Sequence, residues 1–172
     1  EFSDCRISKD DMLNTSDGNI EFFKRKLVQK AAINLGVGRA AFEAAIEYTK
    51  IRYQGGSNII EHQAIGKMIA DMAIKIEHAR AMLWKTAWTI DNQNTISDFS
   101  MNNLPLEIIT SSFTAEAMQE VAHLSAECFG AMGVMRDMPL QKYLEDSLIF
   151  LNSDTQNLST KLRIAEAVAD LD

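Results

Sequence analysis

Prolines and glycines are scarce, two and eight in 172 residues. A sandwich or barrel needs many turns built from such residues. Their scarcity, beside nine methionines and plentiful Ala, Ile, Glu and Lys, points to an all-α fold. The only two cysteines, Cys5 and Cys128, lie far apart in sequence. They make neither a disulfide framework nor a cysteine metal site, and they fit a reducing, cytoplasmic compartment. Positive charge is also short. A formal net charge of −7 and an isoelectric point near 5.0 exclude a broad nucleic-acid or anionic-membrane surface, so any anionic ligand must be met by local cations. No apolar run approaches the roughly eighteen residues of a membrane span, and Glu1-Phe2-Ser3 lacks the basic and apolar character of a targeting signal. With 47% hydrophobic residues, a chain of this length buries one core and makes one domain.

What is present is helical periodicity. A turn cluster, Asn14 to Gly18, offers Ser16 or Asp17 as the cap of a first helix. That helix carries Ile20, Phe23, Leu27, Ala31, Asn34, Gly38, Ala41, Ala45 and Tyr48 at threes and fours. Gly36 and Gly38 inside it suggest either a close helix or ligand approach or a tolerated cost of roughly 1 kcal/mol each. After the break at Gly55-Gly56, Asn58 and Glu61 have the spacing of a capping box. Ile65, Ile69, Met72, Ile76, Ala79, Leu83, Ala87 and Ile90 then form the seam of a helix predicted from Asn58 to Asp91, about 50 Å long. Pro105 opens a third helix with the stripe Ile109, Phe113, Ala117, Val121, Leu124 and Cys128. A shorter helix follows Pro139 to about Phe150, the pattern breaks at Asn152 to Asn157, and Leu158, Leu162, Ala165 and Val168 mark a last helix. The expected architecture is an up-down four-helix bundle with a broken fourth helix over residues 14–172, preceded by a short extended arm over residues 1–13.

The run from Arg52 to Asp91 contains Arg52-x-x-x-Gly56, then Glu61-His62-Gln63-Ala64-Ile65, Ala70-Asp71-Met72-Ala73 and His78-Ala79-Arg80. It resembles the C-terminal helical domain of the acyl-CoA dehydrogenases. Phe2 to Ile7 resembles the segment by which that family leaves its β-domain. Phe129-Gly130-Ala131-Met132-Gly133 resembles its Phe-Gly-Gly-x-Gly turn, and Pro139 with Asp146 falls where its Pro and Arg-Asp pair stand. The resemblance implies that the family's N-terminal helical domain and β-domain lie outside this sequence. It also implies FAD as cofactor and an acyl-CoA substrate, with a homodimer or homotetramer built largely through this domain. An electron-transfer flavoprotein is a possible partner, and neither nucleic acid nor membrane is expected.

The same resemblance implies site residues. Arg52 matches the arginine that reaches a flavin pyrophosphate in a neighbouring subunit, and a guanidinium suits phosphate because it binds bidentately. Read from the residue alone, Arg52 is equally a cation placed at a helix C-terminus. Gly56 lets backbone come close, and Gly55 stands where the family has a Phe. Glu127, Phe129 and Gly130 match a second flavin-contacting stretch, in which Glu127 replaces a Gln and Ala131 a Gly. The carboxylate removes an amide donor and the Ala adds a Cβ. An ordinary glycine-rich helix end explains that stretch as well. Asp154 falls where the catalytic Glu stands, followed by Thr155 and Gln156 rather than Gly and Thr. It is either a general base one methylene short or the N-cap of the last helix. Lys24, Arg25, Lys26 and Lys30 lie where the family serves CoA, with neither of its two residues retained, and read as a solvated face.

One rival comes from another class. Glu120-x-x-His123 has the spacing of a carboxylate-bridged di-metal bundle. A second such motif is missing, because Ile59 and Lys75 precede His62 and His78 by three.

Overall fold

The computed structural model describes residues 3–6, 8, 18–92, 104–152 and 158–169. Its helices are α1 Gly18–Ile51, α2 Gln63–Asp91, α3 Leu106–Phe129, α4 Leu140–Leu151 and α5 Leu158–Ala169. The only sheet among the described residues is a hairpin of β1 Tyr53–Gln54 and β2 Ser57–Asn58. The all-α fold is as expected, and the broken fourth helix is α4 followed by α5. The described part of the arm, residues 3–6 and 8, carries no helix or strand. The cap proposed at Ser16 or Asp17 lies outside the described residues, as do residues 93–103 between α2 and α3 and residues 153–157 of the break.

α3 is the central element and packs on α1, α2 and α4. It is buried nearly all round, by Ile108, Ala115, Met118, Val121 and Ala122 among others. α1 turns small residues toward it, with Ala31, Gly38, Ala41 and Ala45 spaced by one or two turns. Gly38 accounts for the closeness: a Cβ there would lie 2.3 Å from the sulfur of Met118, a fully buried side chain. Gly36 meets nothing within 4 Å and is exposed. Of the two glycines, only Gly38 marks a close helix approach. Some polar side chains inside the bundle pair between helices, while Asn34 Oδ1 and Thr114 Oγ1 are buried without a hydrogen-bond partner among the described residues. Thr86 and Thr110 share a hydrogen bond at 2.6 Å between α2 and α3, and Asn34 donates to the Thr114 carbonyl at 3.3 Å.

The second helix begins later than its capping-box spacing predicts. Gly55 and Gly56 have φ of +66° and +94°. Two successive positive φ values make the two-residue turn whose twist suits a hairpin. Tyr53 pairs with Asn58 and Gln54 with Ser57. Asn58 is therefore extended strand and makes no side-chain cap. Glu61 ends a short 3-10 turn, Ile59–Glu61, and α2 starts at Gln63. A smaller shift occurs at Pro105, which is the N-cap of α3 rather than a first-turn residue. No helix among the described residues is long and apolar enough to cross a membrane.

Candidate functional site

α1 and α3 end side by side at one end of the bundle. There Tyr48, in the last turn of α1, stacks on Phe129, the last residue of α3, with ring centroids 4.0 Å apart and planes 12° from parallel. A groove of about 400 Å³ opens beside this pair. Arg52, Gln54 and Ile59 line one wall, and Glu127 to Met132 the other. Three of the residues singled out for cofactor contact on the second stretch, Glu127, Phe129 and Gly130, thus meet Arg52 in one groove. Gly56 sits at the hairpin tip, where its carbonyl accepts a 2.7 Å hydrogen bond from the Tyr53 hydroxyl. It does not line the groove. Asp154 lies outside the described residues.

The backbone around Arg52 is held from both sides. Its N–H donates to the Tyr48 carbonyl and its own carbonyl accepts from Ile59 N–H, each at 2.9 Å. The Gln54 carbonyl accepts from His62 Nε2 at 2.9 Å, so the ring braces a hairpin of only two residue pairs. The guanidinium is exposed and has no hydrogen-bond or ion-pair partner among the described residues. On the other wall, Gly130 has φ 57° and ψ −135°, a conformation open to glycine and costly to other residues. Nothing lies within 4 Å of where its Cβ would be, so the backbone faces open space. Gly133 is glycine for a different reason: a Cβ there would lie 2.4 Å from the Ala126 carbonyl oxygen.

The electrostatics are mixed. The carbonyl ends of α1 and α3 carry the negative ends of their dipoles toward this region. Glu127 adds a carboxylate, which pairs with His123 Nε2 at 3.2 Å on the α3 surface. Arg52 is the cation that lines the groove. Cys128 also lines it, and burial, with a smaller contribution from Glu127, raises its thiol from 9.0 to about 11. Burial therefore disfavours its thiolate at neutral pH. Tyr48 and Gln54 were not singled out from sequence. Tyr48 took its place in a helical stripe, and only its position one turn before Arg52 pointed to the site.

The other candidate residues lie apart from the groove. Glu120 pairs with Lys75 at 3.0 Å and His123 with Glu127. Among the described residues no three His, Cys, Asp or Glu side chains gather as a metal site would require. In the basic run, Lys26 lies 6.0 Å over the Phe23 ring, and Lys24 borders a separate cavity of about 140 Å³ with Thr86 and Glu107.

The family model of the acyl-CoA dehydrogenase, C-terminal domain, matches residues 20–154. The chain belongs to the acyl-CoA dehydrogenase family. It is 32% identical over 158 residues to the 3-sulfinopropanoyl-CoA desulfinase of Paraburkholderia xenovorans, covering 87% of this chain and 38% of that protein. It is 28% identical over 152 residues to the mitochondrial short-chain specific acyl-CoA dehydrogenase of Rattus norvegicus, covering 86% of this chain and 35% of that enzyme. In three dimensions it matches a chain in the solved structure of the electron transferring flavoprotein of Acidaminococcus fermentans. The TM-score there is 0.82 at 26% identity, covering 97% of this chain and 43% of that one. The chain thus spans well under half the length of the acyl-CoA dehydrogenase relatives it matches.

The family implies FAD, and the groove fits part of it. An exposed guanidinium without a partner, a stacked aromatic pair and an open glycine backbone suit a diphosphate-bearing, aromatic ligand. The Glu127 carboxylate and the Cβ of Ala131, both in the groove lining, are at odds with such a ligand.

Proposed function

We propose that this chain is the C-terminal domain of an FAD-dependent acyl-CoA dehydrogenase-like oxidoreductase, and that it contributes flavin contacts and subunit assembly. The observation that carries the reading is the meeting of Arg52 with Glu127, Phe129 and Gly130 in one groove, though some 75 residues separate the two stretches. Arg52 would hold the diphosphate by paired charge-assisted hydrogen bonds, with its backbone fixed by Tyr48 and Ile59. Gly130 would bring main chain close to the ligand, and the Tyr48–Phe129 pair would form an apolar wall. When bound, FAD supplies the acceptor for a hydride from Cβ of the acyl thioester. Asp154 is the proposed base that takes the proton from Cα. A desolvated acyl pocket raises a carboxyl toward working pH and makes it competent for that task. The names of both protein relatives support a CoA thioester as substrate class, whichever reaction follows. The structural match to a chain in an electron transferring flavoprotein structure supports a flavoprotein electron acceptor.

A second reading has its own observations. Glu127 in the groove, and Thr155 and Gln156 after Asp154, favour a relative that has lost dehydrogenation and serves as an assembly module. The full-length gene product separates the two. As an enzyme it purifies yellow and oxidises members of an acyl-CoA panel, with turnover nearly abolished in Asp154→Asn and retained or increased in Asp154→Glu. A colourless protein that takes up no added FAD supports the assembly module. Unchanged turnover in Asp154→Asn makes that residue a helix cap.

A further inference from the structure

Gln54 lines the groove but belongs to none of the motifs that pointed there. It shares a wall with Arg52, two residues before it in the chain. Tyr53 between them turns its hydroxyl back to the Gly56 carbonyl, so the alternate residues 52 and 54 serve the groove. The Gln54 side chain is exposed, and its amide has no hydrogen-bond partner among the described residues. Its main chain, by contrast, is held from the head of α2. His62 is the N-cap of α2 yet makes no side-chain cap there. Its ring instead reaches back along the chain and donates from Nε2 to the Gln54 carbonyl at 2.9 Å. The ring also lies against the turn, since a Cβ on Gly55 would come within 3.1 Å of Nε2. Gln54 thus carries a free side chain on a fixed main chain, the arrangement of a preorganised ligand contact.

From these features we infer that Gln54 is a ligand-binding residue of the groove, its amide donating to a phosphate oxygen beside Arg52, and that His62 is its positioning residue. The inference deepens the flavin reading and rests on it, because the ligand is the diphosphate proposed there. Donor chemistry assigns the role. An ionised diphosphate offers only acceptor oxygens, so a site that holds it must supply donors. The facing wall supplies no nitrogen donor from its side chains: Glu127 is a carboxylate and only accepts, and Cys128, Phe129, Ala131 and Met132 carry no N–H beyond the backbone. Arg52 and Gln54 are the two side chains of the groove that donate from nitrogen. Charge makes the second one matter. Arg52 and Glu127 cancel across the groove, and the chain as a whole carries −7, so charge alone does not favour an anion there. A neutral amide aimed at the phosphate tips the balance by hydrogen bonding. An amide at position 127 would do the same from the opposite wall, which makes the two positions interchangeable sources of one donor.

The experiment titrates FAD into the cofactor-free full-length protein, follows flavin fluorescence, and records thermal melting of the cofactor-free form alongside. Gln54→Leu should weaken FAD binding by roughly tenfold and leave melting unchanged, because the side chain has no other partner. Adding Glu127→Gln to the Gln54→Leu protein should restore most of that affinity, as an amide returns to the groove from the facing wall. His62→Leu should also weaken binding, and should weaken it little further when Gln54 is already Leu. Such non-additivity marks a residue that acts through Gln54, and a general loss of fold stability would not produce it. Wild-type affinity in Gln54→Leu, with Arg52→Ala still weakened, overturns this inference and leaves the flavin reading standing. A His62→Leu loss that adds in full to the Gln54→Leu loss overturns the positioning role. No FAD uptake by the wild type, or full affinity in Arg52→Ala, overturns the flavin reading and this inference with it.

Discussion

The middle of α1 and its end use the same residue type for opposite purposes. At the middle, Gly38 is glycine because Met118 of α3 fills the space a side chain would take. At the end, Gly55 and Gly56 are glycine because the turn needs positive φ, and no packing partner crowds Gly56. α3 repeats the division within four residues. Gly130 is a backbone requirement with open space around it, and Gly133 is a packing requirement against the Ala126 carbonyl. Packing glycines hold the bundle together, whereas conformational glycines shape its end, where exposed side chains face a groove. Stability and the proposed ligand contacts are thereby separated along both helices, and substitutions can test that separation.

The largest expected effect is at Gly133. An Ala there collides with backbone, which cannot rotate away as a side chain can. We expect Gly133→Ala to cost roughly 1–3 kcal/mol of stability, read as a lower urea midpoint at unchanged slope. The two α1 glycines sharpen the contrast. Gly36→Ala should stabilise by up to about 1 kcal/mol through helix propensity alone. Gly38→Ala should lose that gain and more, because buried Met118 must move. Equal effects at the two positions would contradict the close α1–α3 approach. A smaller effect concerns pH at Cys128, whose thiol is raised from 9.0 to about 11 by burial. The folded state disfavours the thiolate, so this contribution to stability is complete below about pH 9 and is lost as pH rises toward 11. Urea unfolding across that window should show wild type losing ground against Cys128→Ser, which has no thiol to titrate.

Much of this organisation is legible in the sequence, and the exceptions have physical causes. The periodic apolar stripes around Met72, Ile76, Leu83 and Val121 give the helices and their core faces, because burial imposes the period. Glycine identity alone could not tell Gly36 from Gly38, since the difference lies in a residue 80 positions away. The hairpin was missed because Asn58 and Glu61 satisfy a helix-cap spacing that competes with the turn signal of Gly55-Gly56. The turn won because both glycines adopt positive φ. The groove's two walls were legible through resemblance. Its aromatic wall was not, because stacking of Tyr48 on Phe129 depends on two helix ends meeting in space.

The central claim is that Arg52 is presented as a ligand cation and is not there for stability. Its most direct test compares FAD affinity and thermal melting of the full-length protein with those of Arg52→Ala. Paired charge-assisted hydrogen bonds are worth about 1.5–3 kcal/mol, so affinity should fall by roughly ten- to a hundredfold. The melting temperature of the cofactor-free protein should stay the same, because the guanidinium touches no described partner. Unchanged FAD affinity, or a loss of stability without a loss of affinity, would make Arg52 a helix-end cation and contradict the account.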